Sequence, residues 1–169
     1  INSLPNIKLQ FKFNADLGFG EMYLNDVNVE TEIRTIEVSS FVSKVAEVSE
    51  VRAKLVEQQK EMGKDKGIVM DGRDIGTVVF PNAELKIFMT ASATTRAQRR
   101  YDELVAKGDT VTFEEVLANV EERDYIDTHR EDSPLVMAED AVEIDNSHLN
   151  REEQFELVLQ LVNEITKTI

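Results

Sequence analysis

The 169-residue chain has no cysteine and no tryptophan, and only three prolines and seven glycines. Without cysteine, disulfides and thiolate metal sites are impossible, and with only His129 and His148, far apart in the chain, no zinc site is expected. No apolar run approaches the roughly 18 residues that a membrane span requires, which excludes a membrane protein of that kind. Basic charge is scarce: 19 Lys and Arg against 33 Asp and Glu leave a net charge of −14, so the footprint of a nucleic-acid binder is missing and nucleic acid is disfavoured as a partner. No internal repeat, low-complexity tract or basic-then-apolar leader is visible, and the chain reads as cytoplasmic. No Gly-x-x-x-x-Gly-Lys-Ser/Thr segment, Ser-His-Asp set or metal-ligand set occurs either. What is present, 41% hydrophobic and 31% charged residues, is the composition of one globular domain or one domain with a small insertion.

The charge is unevenly placed. From Glu131 to Ile169 there are ten acids and two bases, while seven of the nine arginines lie between Arg52 and Arg130. Arginine's planar fork suits phosphate and carboxylate oxygens, so folding could gather these into a local anion site that net charge conceals; surface ion pairing with the abundant acids is the alternative.

Apolar residues at Ile7, Leu9, Phe11 and Phe13 alternate with polar ones, the period of a half-buried strand. Glu21–Leu24 and Val27–Val29 flank Asn25-Asp26 as a hairpin. Helices are expected around Ser40–Val48 and over Ser49–Met62, the second capped by Ser49 and closed by Gly63. The pattern then changes. Gly67–Asp71 and Leu85–Met89 read as buried parallel strands, followed by a helix from Thr94 to Lys107 stopped by Gly108. Thr112-Phe113-Glu114-Glu115 is a capping box opening a helix that runs towards Arg130; a strand at Ala141–Asp145 and a helix from about Arg151 to Lys167 close the chain. The order predicts an α/β layered core, residues 63–169, preceded by an antiparallel and helical unit, residues 1–62.

Three constellations carry chemistry. On the helix from Thr112, the apolar stripe of Phe113, Val116, Leu117 and Val120 continues, at about 100° per residue, into Arg123, Asp127 and Arg130. Either the helix leaves the core there, or an Arg-Asp-Arg set lines a cleft that takes a polyanion. Asp71-Gly72-Arg73-Asp74-Ile75-Gly76-Thr77 follows an expected strand, where open α/β sheets bind ligands; a turn with internal Arg–Asp pairing is the alternative. Arg96, Arg99 and Arg100 share a helix flank and could close over phosphates or pair with neighbouring acids such as Asp102 and Glu103.

Asp71–Pro81, with Arg96-Ala97-Gln98-Arg99-Arg100 and the helix from Arg123-Asp124 to Arg130, resembles the bacterial cytidylate kinases of the P-loop nucleoside monophosphate kinase group. The resemblance runs from Glu32-Ile33-Arg34-Thr35 to the C-terminal helix, and more weakly over the preceding strands. It implies a three-layer parallel-sheet P-loop kinase-like core, here incomplete, with a small antiparallel β plus helix insertion at residues 1–62 and lid helices at about residues 94–130. It implies that Ser43, Arg52 and Asp74 read cytosine, that Arg73 and Arg130 hold the monophosphate, and that Arg123 and Asp127 meet the ribose. Arg96 and especially Arg100 are implied to approach the phosphates of ATP, and Arg73, Arg100 and Arg130 to serve the transfer itself. The implied activity moves the terminal phosphoryl of ATP, carried with magnesium, to CMP or dCMP, in a protein that is monomeric when intact. The family's first core strand, its P-loop and its magnesium ligand would precede Ile1, so the chain is expected to be a C-terminal portion that does not turn over ATP alone. Two other readings stay open: a non-catalytic CMP-binding or regulatory module, and an interaction domain whose arginines only pair with acids.

Overall fold

A computed structural model describes residues 2–167, apart from the side chain of Ser43. Near the N-terminus β1 (Leu9–Asn14), β2 (Phe19–Leu24) and β3 (Val27–Asn28) form an antiparallel sheet in that order. Asn25 and Asp26 between β2 and β3 both have positive φ, 48° and 66°, the backbone that a tight hairpin requires and that Asn and Asp tolerate. Leu9 faces Leu24 and Phe11 faces Met22, which puts the apolar residues on one side. On the other side Lys12 lies 4.1 Å from the ring centre of Tyr23, and Glu21 accepts hydrogen bonds from the side chains of Asn14 and Asn28. The alternation is as expected, and Ile7 and Leu9 are half-buried between exposed Lys8 and Gln10, but from Phe11 onward the burial is reversed: Phe13 is 75% exposed, while Lys12 and Asn14 are half-buried in the polar network.

α1 (Ile36–Ala46) begins ahead of the expected Ser40, because Thr35 Oγ1 accepts from the Val38 amide at 3.3 Å and caps it. α2 (Ser49–Met62) has the expected bounds, yet Ser49 is not its cap. Val48 holds that position with no side-chain bond, and the Ser49 hydroxyl donates to Asp132 instead. Gly63 closes α2, its amide bonding the Gln59 and Glu61 carbonyls.

Farther along, β4 (Ile87–Thr90) leads into α3 (Ala93–Ala106), α4 (Phe113–His129), β5 (Val142–Asp145) and α5 (Arg151–Thr166). β4 and β5 pair in parallel, Ile87 beside Val142 and Thr90 beside Asp145, with α3 and α4 forming the crossover. The chain is thus an α/β protein consistent with a P-loop kinase-like fold. Gly67–Asp71, expected as a strand, does not form one: no described strand pairs with it, and Val69 is 99% exposed. A strand is held by its ladder partner, and apolar content alone does not make one.

In place of a simple turn, Ile75–Val79 forms a π-helical turn, with the Val79 amide on the Asp74 carbonyl at 3.2 Å and the Phe80 amide on that of Ile75 at 2.7 Å. A Cβ at Gly76 would stand 3.3 Å from Lys86 Cδ. Lys86 in turn is anchored by both Asp140 oxygens at 2.8 Å and by the Pro81 carbonyl.

α3 and α4 share a core in which Ala97, Leu104 and Val116 are fully buried and Tyr101 meets Phe113 edge to face. α3 stops as the sequence predicts: Gly108, at φ +89°, donates to Val105 O while Asp109 donates to Leu104 O, closing the last turn. α4 opens with the expected box, Thr112 Oγ1 accepting from the Glu115 amide and Glu115 Oε2 from that of Thr112.

These elements fall into two compact units. One contains the N-terminal residues as far as Val69 together with Arg130–Asp132, and the other Met70–His129 and the chain from Ser133 onward. Among the described residues no helix is long and apolar enough to cross a membrane.

Candidate functional site

The stripe on α4 stays inward. Val116 and Asp127 are both buried, whereas Tyr125, on the opposite side, is exposed and stacks on His129 with ring centres 4.2 Å apart. Asp127, and Arg123 one turn before it, therefore lie on the inward face of α4 within the second unit.

Asp127 is 3% exposed and accepts a hydrogen bond from Arg73 Nε at 2.9 Å. Arg73 stands in the Asp71–Asp74 loop just before the π turn, so that loop and α4 meet at this pair. Asp74 itself is buried, and its carbonyl accepts from the Val78 and Val79 amides, which ties the loop to the turn. Arg123, one helical turn before Asp127, is half-buried. Burial pushes its pKa down and the Arg73 charge adds to this, with Asp127 and Asp124 opposing and Arg100 contributing in the same direction as Arg73. Arg123 thus feels two further guanidiniums, those of Arg73 and Arg100, against the carboxylates of Asp127 and Asp124. Such an excess of positive charge is relieved by an anionic ligand, which is the chemistry of a phosphate site.

The Arg96, Arg99 and Arg100 set does not act as one cluster. Arg96 makes a two-point bond to Asp124, at 2.8 and 2.5 Å, and its Nε donates to the Ala91 carbonyl. Arg99 turns to the loop after β5, donating to Asn146 Oδ1 and to the Asn146 and Leu149 carbonyls. Arg100 pairs with Glu103 at 2.9 Å along its own helix. The remaining expected residues belong to the first unit: Arg52 donates from Nε to the Ala46 carbonyl, Arg130 is 7% exposed, and the Ser43 side chain lies outside the described residues. Sequence reasoning did not single out Asp124 as a partner for Arg96, nor Lys86 as the anchor beneath Gly76. The only signal for Asp124 was its place beside Arg123 on a face already turned inward. Among the described residues no three His, Asp or Glu side chains gather as a metal site.

A family model described as cytidylate kinase matches residues 2–164, a span that contains every one of these constellations. The chain belongs to the cytidylate kinase family. The cytidylate kinase of Flavobacterium johnsoniae is 77% identical over 167 residues, covering 99% of this chain and 73% of that protein. That of Flavobacterium psychrophilum is 74% identical, covering 98% of this chain and 73% of its own. The cytidylate kinase of Parabacteroides distasonis is 60% identical over 152 residues, 90% of this chain and 66% of that protein. As a cytidylate kinase the chain is an ATP-dependent phosphotransferase.

Proposed function

We propose that this cytidylate kinase binds CMP or dCMP through Arg73, Asp74, Arg123 and Asp127, and serves transfer of the terminal phosphoryl of ATP to give CDP or dCDP. The supporting observation is the Arg73–Asp127 bond at the buried end of α4, beside a half-buried Arg123 whose pKa is lowered first by burial and then by the Arg73 charge. In this reading Arg73 holds the nucleotide phosphate, Arg123 and Asp127 hold the ribose, and Arg100 faces the phosphates of ATP. Asp74 accepts from the exocyclic amine of cytosine, a donor that uracil lacks. Ser43, Arg52 and Arg130 take their roles, with cytosine for the first two and with the monophosphate for Arg130, from the family likeness alone.

The transfer is an in-line displacement. An oxygen of the CMP phosphate bonds to the γ-phosphorus as the bond from that phosphorus to the β–γ bridging oxygen breaks, and ADP leaves. Positioning and neutralisation of the phosphate oxygens supply the catalysis, so no covalent intermediate on the protein is needed. Magnesium, arriving with ATP, supplies further charge neutralisation when bound. Because no P-loop motif occurs within the 169 residues, the chain by itself is proposed to hold CMP without turning over ATP; the intact protein is proposed to be a monomer.

Calorimetric titration tests the reading. CMP is expected to bind at least about tenfold more tightly than UMP, about 1.4 kcal/mol, and Asp74→Asn to remove most of that preference. Equal affinity for the two nucleotides sinks the cytosine role, and no binding of either sinks the site. ADP release from ATP in the presence of CMP by this chain alone would overturn the proposal that it does not turn over.

A further inference from the structure

Of the three arginines on α3, Arg96 is the one whose guanidinium spans two elements of the second unit by a fork-to-fork bond. It stands in the first turn of α3. Its Nη1 and Nη2 donate to the two oxygens of Asp124 on α4, at 2.8 and 2.5 Å, while Nε donates back to Ala91 O at 3.0 Å, so each of its three nitrogens already has an oxygen. Bidentate geometry of this kind fixes orientation as well as distance. The Asp124 bond also raises the Arg96 pKa, which keeps the fork charged.

The place of Asp124 gives the pair its consequence. It directly follows Arg123 and precedes Asp127 by three residues, and its charge is among those acting on Arg123. Anchoring Asp124 to the start of α3 sets the rotation of the α4 turn that carries Arg123 and Asp127 towards Arg73. We propose that Arg96 is a positioning residue: acting through Asp124, it orients Arg123 and Asp127 for the mononucleotide, and is not itself a ligand of the ATP phosphates. This rests on the reading of Arg73, Arg123 and Asp127 as CMP contacts.

The test is a double-mutant cycle on CMP and UMP affinity in the full chain, with unfolding curves confirming that each variant is folded at the titration temperature. Arg96→Gln and Asp124→Asn are each expected to weaken CMP binding about 3- to 10-fold, with the double variant no worse than either. Both are expected to keep the wild-type ratio of CMP to UMP affinity, because Asp74 is untouched. The charge-reversed pair, Arg96→Asp with Asp124→Arg, is expected to recover affinity to within about threefold of wild type, and Arg96→Lys, which keeps charge but not the fork, to fall between. Single variants that bind CMP like the wild type overturn the proposal, as does a folded reversed pair that recovers nothing. If the wild-type chain binds neither nucleotide, the CMP reading itself has failed and the positioning role falls with it; a wild-type chain that binds beside indifferent variants removes the positioning role alone.

Discussion

Asp127 is a carboxylate almost without solvent, and Arg73 at 2.9 Å makes its charge tolerable there. Replacing the charge while keeping the shape separates affinity from stability. Asp127→Asn is expected to weaken CMP binding about tenfold, whereas its unfolding free energy should change by no more than about 1 kcal/mol because Arg73 remains half in water. Calorimetry and urea denaturation measure the two, and undiminished affinity would remove Asp127 from the site. Gly72 makes a complementary case in the same loop. A Cβ there would lie 2.9 Å from Ile75 Cγ1, so Gly72→Ala must displace the side chain that begins the π turn. The expected cost is about 1–2 kcal/mol in urea unfolding, with weaker CMP binding as Arg73 shifts. The sequence already pointed to Arg73, Arg123 and Asp127 as candidates, because charge on an apolar stripe and charge between two glycines are visible without a structure. It did not reveal that Arg73 and Asp127 bond to one another, for they are 54 positions apart.

The helices begin and end on signals confined to a few residues. α5 starts on a reciprocal box in which Asn150 accepts from the Glu153 amide and Glu153 accepts from that of Asn150. Asn150→Ala and Thr112→Ala are each expected to lower stability by about 1 kcal/mol, and Gly108→Ala, which puts a Cβ on a backbone at φ +89°, by a similar amount. Urea midpoints at constant slope check all three; no loss for Thr112→Ala would mean that the box at α4 is not formed in solution. The ends of α3 and the start of α4 were legible in the sequence because each depends on bonds within about five residues. The start of α1 and the cap of α2 were not: Thr35 caps α1 four residues ahead of the expected start, and Ser49 was drawn away by Asp132, 83 positions distant. The π turn was also invisible, since it depends on Gly76 giving room to the Lys86 stem from the start of β4.

Across the whole molecule, several of the surplus carboxylates are held in local bonds that acid will dissolve. Lys107 and then Arg100 keep Glu103 below its ordinary value, Thr112 does so for Glu115, Lys86 for Asp140 and Ser147 for Asp145. Each binds its proton less readily folded than unfolded. Their contribution to stability is therefore complete above the ordinary carboxylate range and is lost as pH falls through their lower folded values. Thermal midpoints are expected to be level from about pH 8 to 5 and to decline below about pH 4.5; a midpoint that rises on acidification would contradict this. At the same scale, the sequence by itself determined the family, the α/β order and most helix ends, because motifs, periodicity and capping are short-range. Tertiary structure alone decided that Gly67–Asp71 has no strand partner among the described residues, that β4 pairs with β5, that the Phe13 face of the first sheet is open, and that Arg96 bonds Asp124 while Arg73 Nε bonds Asp127. A guanidinium is satisfied by any well-placed carboxylate, and nine arginines among 33 acids leave that choice open until the chain has brought distant residues together.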